Sequence, residues 1–239
     1  MVGMTGVGAG SVIAAFLLVA YPELSPQLIV GSATTQAVVM KLFGVWARRH
    51  MKLGEMRLGL AMAAGAAPFA IAGAFVSHRL HAEILRPILA GVLGVVGATL
   101  VAQAAHRWGT GKPVIVGDRD PSPVLVGIVG TLVGFIAGLT SIGTGTLFVS
   151  ALAGPLRVDV HRAVAAALVA GLVTLVISAV THISLGHVNA ALIAGTCLGS
   201  VPGVLLGTAF ATKLPARTLR GVIGGGIVVA AAIALSRLK

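Results

Sequence analysis

Long apolar runs separated by short polar connections dominate the pattern along this chain. A helix needs about 20 apolar residues to cross the hydrocarbon core of a bilayer. The runs that reach or approach this length cover residues 28–47, 58–77, 87–105, 163–181, 188–212 and 221–235. Each of them predicts a membrane-spanning helix, the last one being short.

Two other apolar stretches, residues 1–21 and 124–155, are interrupted by clusters of glycine and hydroxyl residues. Glycine weakens a helix, and a helix break inside lipid frees backbone groups that need protein or water as partners. These two stretches therefore predict a broken helix or a hairpin rather than a plain span.

The interrupted stretches are also similar to each other. A shift of about 135 positions places Gly3, Thr5, Gly8 and Gly10 on Gly138, Thr140, Gly143 and Gly145. Nearly the same shift places Gly65, Pro68 and Gly73 on Gly199, Pro202 and Gly207. We therefore predict two homologous repeats, with residues 1–105 as the first, 106–123 as a basic connecting loop and 124–239 as the second.

The first repeat is shortened at its start, because Met1 aligns with Ile136 and nothing in the first half matches residues 123–135. Either the true start lies upstream in a longer reading frame, which we favour, or the first repeat has lost its first arm.

The basic residues indicate how the repeats lie in the membrane. If each interrupted stretch crosses once, the halves are parallel and nine basic residues lie opposite seven. If each stretch returns to its own side, the halves are inverted, and twelve basic residues in the connections 48–57, 106–123, 156–162 and 213–220 lie opposite four. Lys and Arg stay on the cytoplasmic side. We therefore predict an all-α polytopic membrane protein of two inverted repeats, each a glycine-broken hairpin or helix followed by three transmembrane helices, with the carboxyl terminus outside.

Composition agrees with a multi-pass protein of the cell inner (plasma) membrane. Of the 239 residues, 57% are hydrophobic and 10% charged, and the mean hydropathy is +1.03. The net charge of +11 lies in connections rather than in a patch with aromatic residues, so nucleic acid is not an expected partner. Glycines spaced by four residues predict close helix packing at 130, 134 and 138 and at 195, 199, 203 and 207.

Chemistry is expected at the two glycine-rich tips. In inverted halves these tips meet near the membrane centre, where transporters place their sites. Free amides at helix N-termini suit an anion, and hydroxyl groups add donors. Our candidate substrate-binding residues at the tips are Thr5, Gly6, Gly8, Gly10, Ser11, Thr140, Ser141, Gly143, Gly145 and Thr146. The alternative is that the glycines only pack helices and the hydroxyls bond to the preceding turn.

A polar stretch in the first repeat adds Ser32, Thr34 and Gln36 as candidates, because the matching residues 165–170 are all apolar. Lys41 follows two turns later on the same helical face as Thr34. A lysine inside a span is costly, so it is a candidate for attracting the anion; the alternative is that its side chain extends toward the basic end of the helix.

No catalytic, cofactor or metal site is expected. The chain has no H-E-x-x-H or G-x-S-x-G motif, and its histidines have no carboxylate or cysteine at ligand spacing, so we expect structural or interfacial roles for them. All six acidic residues lie in connections, which leaves no carboxylate for a proton relay inside the membrane. Export of an anion driven by the membrane potential, or with a proton on the substrate itself, is the expectation.

Two signatures resemble those of the sulfite exporter TauE/SafE family of membrane permeases. The first reads Gly6-Val7-Gly8-Ala9-Gly10 and Ser141-Ile142-Gly143-Thr144-Gly145, with the central glycine replaced in each. The second reads Val30-Gly31-Ser32-Ala33 and decays to Val164-Ala165-Ala166-Ala167. The resemblance implies transport of sulfite, an organosulfonate such as sulfoacetate, or a related sulfur-containing anion. Duplicated halves that meet at broken helices favour alternating access as the mechanism. An anion channel or other passive pore and a non-transporting membrane subunit remain alternatives, and a homodimer stays open.

Overall fold

In a computed structural model of the protein, residues 9–47, 51–105, 121–211 and 216–237 are described, and within these ranges the chain is helical without strands. The helices are α1 (Ala9–Ala20), α2 (Pro26–Ala47), α3 (Leu53–Arg79), α4 (Ala82–Ala105), α5 (Pro123–Thr140), α6 (Thr146–Ala153), α7 (Val160–Ser184), α8 (Ala190–Ala211) and α9 (Ala216–Ser236).

The predicted spans are helices. Five helices are long and apolar enough to cross a membrane, namely Pro26–Trp46, Leu53–Arg79, Ala82–Ala105, Pro123–Thr140 and Val160–Ser184. The predicted runs 188–212 and 221–235 form α8 and α9. The interruption predicted in residues 124–155 is also present, because α5 ends at Thr140 and α6 begins at Thr146. The all-helical, multi-pass membrane architecture is therefore confirmed.

Large apolar side chains cover the outer faces of these helices. Exposed examples are Phe16, Phe43, Trp46, Phe69, Phe75, Leu132 and Leu198. An exposed apolar surface of this extent is unfavourable in water and fits contact with lipid. The buried set, by contrast, contains Lys41, Gln36, His182 and many hydroxyl residues. Polar groups therefore lie inside the molecule and apolar groups outside.

Helices at matching positions of the two halves run antiparallel. Gly31 near the start of α2 lies against His187 just after α7, whereas Gly44 near the end of α2 contacts Leu168 in the first half of α7. Gly94 of α4 contacts Ala231 of α9, and Gly221 of α9 contacts Ala104 at the end of α4. Inverted halves require this arrangement. The duplication and its boundaries at 105 and 124 stay predictions, and residues 106–120 lie outside the described part of the chain.

Helix α5 packs against α3 along its glycine stripe, as predicted for this stripe. A Cβ atom added at Gly130, Gly134 or Gly138 would overlap a backbone carbonyl of α3. The same prediction is wrong for Gly195 and Gly199 of α8, where an added Cβ would meet nothing within 4 Å. The reason is that no described helix packs on that face of α8.

Helices α5 and α6 form a hairpin. Along the parallel pair of α3 and α5, Gly130 faces Met62 and Gly138 faces Ala70. Helix α6 then returns, because Leu152 packs in one cluster with Leu58 and Ala163, which lie near the starts of α3 and α7. Both ends of the hairpin therefore lie at the end of the molecule where α3 and α7 begin.

Candidate functional site

The α5–α6 hairpin turns through a buried loop, which we call the tip and define as residues 140–146. Ser141 (φ 62°) ends α5 in the left-handed region, and Gly143 follows with φ 97°. A positive φ favours glycine, which explains Gly143 in this turn. The Thr140 hydroxyl donates to the Ile136 carbonyl at 2.6 Å and accepts the Ile142 N–H at 3.2 Å, and so it caps the end of α5.

The tip lies at the middle of the membrane-spanning helices. Lys41 of α2 donates to the carbonyl of Thr144 in the tip at 2.9 Å. The same ammonium lies against Gly171, where an added Cβ would overlap it. Gly171 is close to the midpoint of α7 (Val160–Ser184). Helices of this length cross the bilayer, so the tip is buried deep within it.

The start of α1 meets the tip. A Cβ atom added at Gly10 would lie 2.5 Å from the Ser141 carbonyl oxygen and 3.4 Å from Cβ of Ala37. Only a residue without a side chain allows this approach. The prediction that two glycine-rich segments meet is therefore supported at this contact, whereas Thr5, Gly6 and Gly8 lie outside the described residues.

Several buried polar groups in the segments that form this contact have no hydrogen-bond partner among the described residues. They are the hydroxyls of Ser11, Ser141 and Thr146 and the side-chain oxygen of Gln36. An unpaired polar group buried in a protein costs about 1 to 3 kcal/mol, so such groups normally have partners. Ser11, Ser141 and Thr146 belong to the two segments that meet, and Gln36 precedes Ala37, which contacts Gly10.

The polar stretch of α2 is divided between structure and site. The Thr34 hydroxyl donates to the carbonyl of Val30 at 2.7 Å, in the preceding turn. The Ser32 hydroxyl accepts the backbone N–H of Asn189 at 3.1 Å. Gln36 donates from Nε2 to the Ser200 hydroxyl at 2.8 Å and leaves Oε1 unpaired. Of the three candidates, Gln36 alone keeps a free polar group.

Lys41 is fully enclosed by other parts of the protein. Its side chain is 1% exposed, and its ammonium donates to the carbonyls of Thr144 at 2.9 Å and Ala167 at 3.2 Å. An ammonium has three N–H groups, so one is left over. Among the described residues no carboxylate pairs with it. The alternative in which this side chain extends toward the basic end of α2 is therefore wrong.

Three histidines near the tip form a line that the sequence did not reveal. His78 Nδ1 lies 2.9 Å from His187 Nε2, and His187 Nδ1 lies 3.3 Å from His182 Nδ1. His182 Nε2 donates to the carbonyl of Gly138 at 3.0 Å. The separation of 109 positions between His78 and His187 left no local signal in the sequence.

Residues 30–33 of α2 hold the connection between α7 and α8, which carries His187. The backbone of His187 packs so closely on Gly31 that a Cβ there would overlap the His187 carbonyl. The hydroxyl of Ser32 accepts the N–H of Asn189 in the same connection. Burial, and secondly the neighbouring His78, lowers the pKa of His187 below its ordinary value.

The family comparison agrees with this architecture. The model of the family described as "Sulfite exporter TauE/SafE" matches residues 1–234. The chain is also 27% identical over 242 residues to the probable membrane transporter protein YjnA of Bacillus subtilis (strain 168), a match that covers 96% of this chain and 92% of that protein. No solved structure matches the chain. The chain therefore belongs to the sulfite exporter TauE/SafE family of membrane transporters.

Proposed function

We propose that this transporter exports a small sulfur-containing anion, such as sulfite or an organosulfonate, and that the anion binds between the tip and the start of α1. One observation carries the proposal: the buried ammonium of Lys41 reaches the tip, and no carboxylate in the described part of the chain pairs with it. A charge buried without a partner is costly, and an ionisable group inside a membrane protein marks a substrate path. An anion bound here supplies the missing negative charge.

The surrounding donors suit an oxyanion. Lys41 keeps one N–H, and Ser11, Ser141 and Thr146 hold unpaired hydroxyls. Each hydroxyl can donate one hydrogen bond to an oxygen of sulfite or a sulfonate. Gln36 joins this set if its amide is rotated by 180°. The Ser200 hydroxyl then donates to Oε1 instead of to the Cys197 carbonyl, 3.4 Å away, and the NH₂ group turns to the anion.

The orientation follows from the basic residues. In the hairpin arrangement, twelve Lys and Arg residues belong to connections at one end, whereas Arg79, Arg86, Arg237 and Lys239 belong to the other. The positive-inside rule places the first end in the cytoplasm. A negative interior drives an anion outward with about 2.3 kcal/mol per charge per 100 mV. This supports export as the direction.

Alternating access is the mechanism that the helix arrangement favours over a pore. Broken helices that meet from opposite halves are typical of carriers in which one half rocks against the other around a fixed site. The antiparallel pairs of α2 with α7 and α4 with α9 provide two such halves. In this mechanism the Lys41 site is exposed to one side of the membrane at a time.

Reconstitution into liposomes tests the proposal. We expect saturable uptake of labelled sulfite, sulfate, thiosulfate or sulfoacetate, and accelerated exchange when the same anion is trapped inside. Flux that rises linearly with concentration at channel rates would indicate a pore. Absence of flux for all four anions would indicate a non-transporting subunit and contradict the proposal.

A further inference from the structure

The line of three histidines has a defined hydrogen-bond direction. A carbonyl oxygen only accepts, so the Nε2 atom of His182 that bonds Gly138 carries a hydrogen. Neutral His182 then holds its lone pair on Nδ1, and His187 must donate from Nδ1 to it. His187 Nε2 consequently accepts from His78 Nδ1. All three hydrogen bonds point from His78 toward the tip.

The line also connects the protein surface with the membrane interior. His78 is exposed and lies one residue before the end of α3, whereas His182 is fully buried. Gly138 lies two residues before the tip and packs against Ala70 of α3. At 1.5 Å per residue, Ala70 is about 12 Å along the axis from His78. The three histidines therefore extend from the end of α3 to the level of Gly138.

We infer that the His78–His187–His182 line carries a proton between the tip, where the proton is bound together with the transported anion, and the outer surface at the end of α3, where the proton is released on export. A proton taken up on Nε2 of His78 lets that ring release its Nδ1 proton to Nε2 of His187. His187 passes its own Nδ1 proton to Nδ1 of His182. The result is one added proton and one imidazolium, at His182. On export the same steps run in reverse, and the proton leaves from Nε2 of His78.

One contact of His182, the hydrogen bond to the Gly138 carbonyl, favours this charge. Gly138 is in the last turn of α5, where carbonyl groups without helical partners carry negative partial charge. An imidazolium that donates to such a carbonyl is stabilised by the helix dipole. Ser178 lies four residues earlier on the same face of α7 and continues the line toward the membrane centre. Its buried hydroxyl has no partner among the residues that the structure describes.

Capping of α5 alone does not account for the arrangement. The bond from His182 to Gly138 serves that purpose, but His187 and His78 add nothing to it. In addition, the Gly31 and Ser32 contacts hold the connection that carries His187 against α2. A structural cap would not need two further imidazoles in register.

The groups around the three histidines favour a proton over a metal ion as the cation that the line carries. Helix α2 presents Gly31 and Ser32, and α5 presents the Gly138 carbonyl. On α3 the nearest charged residue in sequence is Arg79, and His81 follows in the connection to α4. In the described parts of the chain, no carboxylate bonds to the three histidines and no group of His, Cys, Asp or Glu could hold a metal ion.

This inference rests on the proposed transport function, because the proton and the anion must strengthen each other's binding. The positive charge on His182 is close to the tip, and opposite charges in a low-dielectric interior attract strongly. By linkage, anion binding then raises proton binding by the same factor. A dianion that carries one proton keeps one net negative charge, which the membrane potential still drives outward.

The test uses proteoliposomes with a trapped pH-sensitive dye and a gradient of sulfoacetate at about pH 7.5, where both acid groups of this probe are ionised. We expect protons to move with the anion in wild-type protein. In His187→Gln the ratio of protons to anions should fall at least about fivefold. The control His81→Gln should keep the wild-type ratio.

His182→Gln separates proton transfer from capping, because a glutamine amide can donate to Gly138 but cannot hold an added proton. We expect it to fold and to lose proton movement. Anion flux without proton movement in the wild type, or an unchanged ratio in His187→Gln, overturns the inference and leaves the proposed function standing.

A second measurement does not depend on transport. Nitrogen NMR of histidine-labelled protein in nanodiscs should show hydrogen on Nδ1 of His78 and His187 and on Nε2 of His182. A different tautomer at any of the three overturns the directed line, whether or not sulfoacetate moves. If the tautomers are as expected but no anion is transported, the proposed function fails and the coupling fails with it.

Discussion

Single residues explain why the tip is a better candidate than the rest of the interior. Lys41 brings an ammonium to the Thr144 carbonyl, and Gly171 leaves room for it. Ser141 and Thr146 add hydroxyls that have no partner within the described ranges. Charge, space and free donors therefore coincide at one place, and each of them can be changed separately.

Removal of the ammonium should weaken anion binding. Loss of a charged hydrogen bond costs about 1.5 to 3 kcal/mol, so Lys41→Met should weaken binding roughly 10- to 100-fold. Gly171→Ala should have a similar effect, because its Cβ displaces the ammonium. Gly91→Ala is the control, since an added Cβ there meets nothing within 4 Å. Calorimetry with purified protein and sulfite or sulfoacetate checks this, and wild-type affinity in both variants would contradict the role of Lys41.

The two polar candidates of α2 should differ. Gln36 keeps an unpaired oxygen, whereas the Thr34 hydroxyl is already bonded to Val30. We expect Gln36→Leu to lower the rate of anion uptake at least about tenfold and Thr34→Val to lower it less than about threefold. Initial rates in liposomes distinguish them. Equal effects would mean that Thr34 turns toward the anion during transport.

Stability should fall in acid through His187. The pKa of His187 is lowered in the folded protein, so below its ordinary value of about 6.5 the unfolded chain binds more protons. Its contribution to stability is complete above about pH 6.5 and is lost as the pH falls through the folded pKa. Melting temperatures of detergent-solubilised protein should therefore drop less steeply below about pH 6.5 in His187→Gln than in wild type. The exposed His81→Gln variant should follow the wild type.

The sequence predicted only part of the site at this scale. Lys41 stood out because a lysine in an apolar run is costly, and Gly143 because glycine breaks a helix. The division between Thr34 and Gln36 depends on which partners the fold supplies, and the sequence does not contain that information. The same holds for His78 and His187, which lie on elements that are distant along the chain.

At the scale of elements, hydropathy was sufficient to find the helices but not their ends. The run 58–77 became α3 (Leu53–Arg79), which begins five residues earlier. The reason is a local cap, in which Glu55 accepts the backbone N–H of Lys52 at 2.9 Å and allows polar residues to start the helix. The glycine cluster predicted the helix break at the tip, and the count of basic residues predicted the return of the chain to its own side. The contacts of Leu152 show this return for α6.

The α5–α6 hairpin can be tested by cysteine accessibility. In a Cys197→Ser background, a cysteine at Ser122 or at Pro155 should react with an impermeant reagent from the same side of the membrane. Cysteines at Ser25 and His81 should react from the other side. A single crossing by residues 123–155 would instead place Ser122 and Pro155 on opposite sides. Intact cells and inverted vesicles provide the two accessible faces.

At the scale of the whole molecule, the antiparallel contacts of α2 with α7 and α4 with α9 bring two halves together around the tip. The count of basic residues predicted this orientation, because positive charge is retained on one side of the membrane. Composition could not select the anion, since hydroxyl and ammonium donors accept many oxyanions. The anion must therefore be found by transport.

The measurement that tests the central claim most directly is counterflow of radiolabelled sulfite into liposomes loaded with unlabelled sulfite. A carrier with its site at Lys41 predicts transient, saturable accumulation of label in wild type and in Gly91→Ala. It predicts loss of that accumulation at low sulfite concentration in Lys41→Met and Gly171→Ala. Accumulation that persists unchanged in both variants would contradict an anion site at the tip.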